Sequence, residues 1–547
     1  MKYILISLAF MLLLNVGCVK KKEKVDLIIY NAKVYTVDSA FTNAEAFAVK
    51  DGHFIMVGKT SEVSEKYYAE NAIDLHGKVV YPGLIDAHCH FFGYGSYKNT
   101  VNLSGVVSEE EMISKVVDFA DNNNTAWIRG RGWDQNLWEG NEFPTFNKLN
   151  ELFPDRPILL IRIDGHAVLV NQAAMDLVNP PLEDIQEYMV LKDGNFAGVL
   201  LDNGADMLKD AANDLSQQEI MDALLIAQED CFAVGLTTVS DAGLSQEVVQ
   251  AILALNESKE LNMRMYAMLN PNEENKKFVI ENGIYQTDYL HICSIKLYAD
   301  GALGSGGACL CHPYTDDSSS SGFILHDNKY FTSYCQFAYD HNYQVCTHAI
   351  GDSANRFVLD LYAEYLKGKN DLRWRIEHAQ VISENDFQKF ADFSIIPSVQ
   401  PTHATSDMGW AEKRLGSERV KNAYAYKRLL DITGWIPNGS DFPVESINPL
   451  FGFYSTIARK DQQGNPPNGF QFENALSREE ALKAMTIWAA KSNFEENIKG
   501  SIELGKLADF VILENDIMEI DELEIIDTKV LSTYIGGKEV YKLNNSY

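Results

Sequence analysis

From residue 82 onward the chain alternates short apolar runs with longer amphipathic stretches. The runs at 82–88, 126–130, 157–163, 236–241, 263–269, 293–298, 343–348, 374–378, 394–399 and 435–440 read as buried strands. Short unbroken apolar runs suit strands covered on both faces, and strands alternating with helical stretches indicate βα units and a parallel sheet. These ten runs exceed by two the eight that a closed (β/α) barrel needs. The pair at 126–130 and 157–163 falls in a stretch, 96–225, with Trp127, Trp133 and Trp138, short turns and few long helical patterns. Read as an insertion after the first barrel strand, it leaves eight.

The two ends have a different texture. Residues 25–81 turn and alternate like short strands, with Asp51-Gly52 as a hairpin signal before His53 to Gly58. Residues 501–547 have the same character, in Gly505 to Leu513 and in Val530 to Ile535 before Gly536-Gly537. One small β domain built from both termini is expected, with the barrel occupying 82–95 and 226–500.

The first residues read as an export signal. Lys2 precedes an apolar run, Tyr3 to Val16, broken by Ser7 and Asn15 and ending at Gly17-Cys18. That is too short to span a bilayer as a stable helix but has the layout of a signal-peptide core. The run resembles the lipobox of bacterial lipoproteins, with Asn15 where leucine is usual. The expectation is a signal peptide over 1–17, a lipid-modified Cys18 and a tether over 18–24, placing the protein in the bacterial cell envelope. The alternative is a secretory signal in which Cys18 is incidental. No later segment is long and apolar enough to suggest a second membrane contact.

Composition narrows the partners. With 46% apolar and 23% charged residues the chain is neither disordered nor fibrous. With 47 Lys+Arg against 77 Asp+Glu, its net charge of −30 repels nucleic acid and anionic lipid. Eight cysteines in 547 residues, without a paired CxxC, are too few for a disulfide scaffold.

The chemistry gathers at strand ends. Pro82-Gly83-Leu84-Ile85-Asp86-Ala87-His88-Cys89-His90 puts His88 and His90 on one face of a strand and Cys89 on the other. Two such imidazoles are poised to hold one metal ion, although a hydrogen-bonded core pair is the alternative. His348 in THAIGD and His378 in RIEHAQ end later strands, and Asp441 in NGSDFPV ends the last. Lys296 lies inside the otherwise apolar 293–298, where a lone lysine must be paired, neutral or modified. A barrel collects strand-end residues at its carboxyl face, so four histidines, a lysine and an aspartate meeting there point to a polynuclear metal site.

In this order the motifs PGLIDAHCH, KLYADGALGS, HAIGD, RIEHAQ, SVQPTHATSD and NGSDFPV resemble the metal-dependent amidohydrolase superfamily, in its amidohydrolase-3 or YtcJ-like branch. Asp164-Gly165-His166-Ala167 with Asn171 fits the same branch. The resemblance covers nearly everything after residue 25. It implies an α/β fold: a (β/α)8 TIM-type barrel with a composite β-sandwich and a divalent-metal hydrolase centre, usually zinc. It implies that His88 and His90 bind the more buried ion and His348 and His378 the second. Lys296 would bridge them if carboxylated, and Asp441 would complete the site and handle protons. An unmodified Lys296 paired with a carboxylate, and a single ion, is the competing reading. Zinc lowers the pKa of its bound water to about 7, so hydroxide is available at neutral pH. The resemblance thus implies cleavage of a non-peptide C–N bond in a small amide, cyclic amide or N-acyl or N-formyl compound.

Further residues carry paired readings. His166 or His403 would hold the oxyanion, bind substrate or serve the structure only. Glu377, beside His378, should face away, either packing or supporting a ligand histidine from behind. Trp133, Asp134 and Trp138 wall a pocket or form the insertion's own core. Gly301 to Gly307 lacks the lysine of a phosphate loop and suits a loop passing close over the site. Cys309-Leu310-Cys311-His312 reads as packing or a thiol pair before a metal site. The alternative to an enzyme is a non-catalytic envelope lipoprotein that keeps the barrel for binding. Oligomeric state is open.

Overall fold

The apolar runs of the middle region become the staves of a barrel. In the computed structural model, which describes residues 21–212 and 215–544, parallel pairing runs in sequence order through seven strands. They are β1 (Leu84–Cys89), β2 (Leu236–Leu244), β3 (Arg264–Leu269), β4 (Leu290–Tyr298), β5 (Gln344–Ala349), β6 (Arg375–His378) and β7 (Ile396–Ser398). The run at 435–440 departs from expectation, since it forms no regular strand. Pro437 has no N–H to give to a ladder. The segment still bonds to both neighbours. Val399 N–H donates to Pro437 O (3.1 Å) and Gly439 N–H to Val399 O (3.0 Å). On the other side Ala87 N–H donates to Asn438 O (3.1 Å) and Asp441 N–H to His88 O (2.8 Å). An irregular eighth stave thus fills the gap of a TIM-type (β/α)8 barrel. Gly439 makes this approach possible, because a Cβ there would lie 2.4 Å from His88 N and 2.7 Å from His88 O.

Both ends of the chain meet in two β-sheets. One orders His53–Gly58, Ala46–Lys50, Leu27–Tyr30 and Asn71–Asp74. The other orders Lys538–Lys542, Val530–Ile535, Phe510–Leu513, Val79–Pro82, Lys33–Tyr35 and Asn43–Ala44. Leu27, Ile29, Phe47, Phe54, Val80, Phe510 and Ile512 share one core between them. The Asp51-Gly52 turn has positive φ at both residues (50° and 77°), as a two-residue hairpin requires. Arg264 of β3 donates to both oxygens of buried Asp509 (2.6 and 2.9 Å), fastening barrel to sandwich.

After β1 and the helix Phe91–Lys98 comes an insertion with its own mixed sheet. Its order is Val101–Asn102, Ile128–Trp133, Ile158–Arg162, Ala167–Val170, Asn195–Leu201 and Met189–Lys192. Trp133 and Trp138 belong to its core, their indole N–H groups donating to Leu160 O (2.8 Å) and Val106 O (3.0 Å). Asp134 pairs with Arg162 at 2.8 Å. The insertion is more helical than its sequence suggests, with helices over Glu109–Asn122 and Asp202–Ala212. The helix Gln217–Ala233 starts at a Ser216–Glu219 capping box and runs across the boundary expected at 225/226. It lies against Phe91–Lys98 where Gly95 has no side chain to strike Ala223 O.

Among the described residues no helix is long and apolar enough to cross a membrane, and Cys18 with the signal segment lies outside them. The seven described cysteines are all free.

Candidate metal centre

Each side chain of the expected centre stands at a carboxyl end of a stave. His88 is fully buried near the end of β1, Cys89 points away into a core shared with Cys231, and His90 begins the next helix. His348 and His378 end β5 and β6, and Asp441 closes the eighth stave. Asp441 Oδ1 lies 3.4 Å from His88 Nε2 and 3.2 Å from His90 Nε2. Ring centres are 5.1 Å apart for His88–His378 and 4.5 Å for His348–His378. Ligand atoms of His88, His378 and Asp441 all lie within 4.8 Å of one another. Two of these residues have left-handed backbone, His378 (φ 72°) and Asp441 (φ 64°). Such conformations cost energy for non-glycine residues and concentrate at functional sites.

Lys296 sits one pleat deeper. In register it faces Cys346 while Tyr298 faces His348, and its Nζ is 5.0 Å from the Tyr298 ring centre. The side chain is 1% exposed, and among the described residues no carboxylate forms an ion pair with it. Burial pulls its pKa down, against the attraction of Glu377 and Asp441.

The donors fit a divalent cation. His88 Nε2, His348 Nε2, His378 Nδ1 and Asp441 Oδ1 are buried atoms without a protein hydrogen-bond partner. Imidazole nitrogen with carboxylate oxygen is a ligand set for zinc and similar ions, and leaving such atoms desolvated and unpaired is costly otherwise. Protonation states agree. Burial and the nearby Lys296 push His348 down to about 3, and burial and His348 hold His378 well below the usual imidazole range, so both are neutral. Burial raises the Asp441 carboxyl, but the His403 hydrogen bond and the facing imidazoles of His88 and His90 hold it well below its ordinary value.

Behind the first histidine stands a carboxylate. His88 Nδ1 is 2.6 Å from Glu377 Oε2, and Glu377 Oε1 is 2.7 Å from Arg375 Nε. Glu377 thus takes the second of its two readings, supporting a ligand histidine from behind, although it turns toward the site rather than away from it. Strand alternation fails at this end because His378 turns left-handed, letting both neighbours approach His88. Such a carboxylate fixes the ring's tautomer and raises its basicity as a ligand.

His403, on the helix Pro401–Asp407, stands between two acids. Its Nε2 is 3.2 Å from Asp441 Oδ2 and its Nδ1 3.4 Å from Glu445 Oε1. Burial opposes protonation, but these two carboxylates push its pKa up to about 10. His166 is exposed on a turn of the insertion, where its N–H donates to Asp164 (3.0 Å).

Three carboxylates escaped the sequence reading. Asp86 accepts from Ser440 Oγ (2.6 Å) and from His88 N–H (3.1 Å), tying β1 to the eighth stave. Asp241 accepts the Phe91 and Phe92 N–H groups (3.1 and 3.0 Å), fixing the turn after His90. Asp300 accepts from Cys309, Ile350 and Gly351 N–H (2.8, 3.0 and 2.8 Å) and lies 3.6 Å from His348 Nε2. Asp86 and Asp300 lie inside the motifs, but the Ser440 and Ile350 partners that tie them to other staves lie 354 and 50 positions away.

Among the described residues Cys309 and Cys311 join no cluster of potential metal ligands; Cys311 Sγ accepts from Arg356 at 3.4 Å. Gly301 to Gly307 closes on itself through Gly301 N–H to Gly307 O (3.2 Å), and the Trp410 ring covers Gly304.

Fold and centre together define a TIM-type barrel carrying histidines and a carboxylate at its carboxyl mouth. The profile described as the amidohydrolase family matches residues 71–541, and the chain belongs to that family. It is 30% identical to the putative amidohydrolase YtcJ of Bacillus subtilis, over 93% of this chain and 98% of that one. It is 26% identical to the N-substituted formamide deformylase of Arthrobacter pascens, over 95% and 99% of the two chains. An uncharacterized metal-dependent hydrolase from Pyrococcus furiosus has the same fold, with TM-score 0.78 and 27% identity over 90% of this chain and all of that one (100%).

Proposed function

We propose that this protein is a metal-dependent hydrolase that cleaves a non-peptide C–N bond in a small amide-type substrate. The observation that carries the reading is the set of unpartnered, buried ligand atoms on His88, His348, His378 and Asp441. His88, His90, His348, His378 and Asp441 would hold one or two divalent ions, most simply zinc, with Lys296 joining them as a carbamate. The absence of an ion pair at Lys296 among the described residues supports a modified or ion-bound amine over a carboxylate-paired one. When bound, such an ion supplies a Lewis acid and an acidified water.

The chain's own groups divide the rest of the work. Asp441, kept ionised, accepts the proton of the attacking water and returns it to the leaving nitrogen. His403, held protonated with its Nε2 on Asp441 and its Nδ1 on Glu445, fixes the Asp441 carboxylate and lends its positive charge to the oxygen that turns negative. Glu445 fixes the ring by taking its Nδ1 side, and is itself held by Ser406 Oγ (2.6 Å). His166, exposed on its turn of the insertion, would bind substrate or reach the oxygen that gains charge.

The relative named as an N-substituted formamide deformylase makes N-formyl compounds the first substrates to try. Purified protein should hydrolyse at least one member of a panel of N-formyl, N-acyl and cyclic amides. Asp441→Asn should lower turnover about 10²–10⁴-fold. No turnover on any member, or an active Asp441→Asn variant, counts against the reading. We further propose export and lipid anchoring at Cys18; mass spectrometry of the mature N-terminus should find acyl chains there, and an unmodified Cys18 would remove the anchor.

A further inference from the structure

Arg459 follows the helix Pro449–Ala458 and is completely buried, at 0% exposure. Its Nε donates to Phe470 O (3.0 Å). Its two terminal nitrogens, Nη1 and Nη2, have no hydrogen-bond partner, and among the described residues no carboxylate pairs with it. Its Cζ lies over the rings of Tyr426 (5.2 Å) and Phe470 (5.8 Å). Ring faces attract the cation but do not accept the N–H bonds that spread in the guanidinium plane. Arginine does not shed its charge in proteins, and a buried charge without compensation is strongly destabilising.

We propose that Arg459 holds a small monovalent anion, of the halide class, through its Nη1 and Nη2 groups. The site lies outside the histidine centre but is mechanically joined to it. The helix ending at Arg459 packs on Pro401–Asp407, the helix that carries His403, with Thr405 Oγ1 3.0 Å from Ser455 Oγ. Tyr426, under the guanidinium, donates through its hydroxyl to Gln400 O (3.1 Å) at the start of that helix. The anion would thereby set the support of His403.

Crystals of the intact protein grown in bromide test this directly. An anomalous peak in contact with the Arg459 guanidinium is the expected result. In solution, replacing gluconate by chloride at constant ionic strength should raise Tm by about 1 °C per tenfold chloride above the dissociation constant. Arg459→Met should abolish that dependence, and the crystal decides alone should that variant fail to fold. Only waters, or Gln471 Oε1, on the guanidinium, with a Tm indifferent to chloride, would overturn the proposal.

Discussion

Exchanging Glu377 for glutamine keeps the shape of the centre and removes one charge. In the folded protein Glu377 Oε2 is 2.6 Å from His88 Nδ1 and Oε1 is 2.7 Å from Arg375 Nε, with both partners fully buried. Losing the carboxylate behind a ligand histidine typically weakens metal binding about 10–100-fold, or about 1.4–2.7 kcal/mol. Arg375 is then a buried cation without its counter-ion, a loss of about 3–5 kcal/mol. Its bonds to Ala87 O (2.6 Å), Ser398 Oγ (3.1 Å) and Asn493 Oδ1 (3.2 Å) place the variant toward the lower end. For a chain of 547 residues that corresponds to a fall in Tm of about 3 °C. The pH dependence has a definite sign. Burial raises the Glu377 carboxyl, but Arg375 and His88 hold it well below its ordinary value. A depressed folded-state pKa stabilises above the unfolded value, about 4.3, and the gain is lost as pH falls. Glu377→Gln should therefore flatten the acid limb of the stability curve. Competition against a chromophoric chelator measures the affinity and calorimetry the melt. Zinc affinity within twofold of wild type, with an unchanged melt, would refute the reasoning.

Three other outcomes follow from the geometry. Gly439→Ala would push a methyl group against the β1 backbone at His88, displacing Asp441; activity and metal affinity should fall together, with about 1–3 kcal/mol of stability lost in denaturant titrations. Burial opposes protonation of His291, but Cys293 and Glu495 raise its pKa to about 9. Its stabilisation, at most about 3 kcal/mol, is full below the unfolded value near 6.5 and lost as pH rises through 9, so His291→Gln should remove that slope in melts between pH 6 and 10. Glu445→Gln should leave the fold intact and shift the pH profile of turnover, because Glu445 faces His403 Nδ1 at 3.4 Å; an unchanged profile would remove it as a positioning residue.

The barrel was readable because buried parallel strands are continuous apolar runs, and seven of the eight expected runs pair as β1 to β7 in sequence order. The eighth was located but not described, since Pro437 and the left-handed Asp441 spoil a regular strand without moving the aspartate from its place. His88, His90, His348, His378 and Asp441 were legible from their strand-end positions, and they do converge. The groups that hold them were not. Asp86 finds Ser440, and Asp241 finds the Phe91 turn, across long stretches of chain that no local pattern links. For Glu377 the supporting role behind a ligand was legible, but its direction was not, because strand alternation holds only while φ stays extended. Trp133 and Trp138 were ambiguous because an indole suits a pocket wall and a core equally; their N–H bonds to Leu160 and Val106 place them in the core.

Metal content is the most direct test of the central claim. Protein purified without chelator and analysed by inductively coupled plasma mass spectrometry should carry one to two divalent ions per chain, and His88→Ala with His378→Ala should carry none. Wild-type protein that stays metal-free when zinc is supplied, or that keeps full activity after complete chelation, would contradict the account.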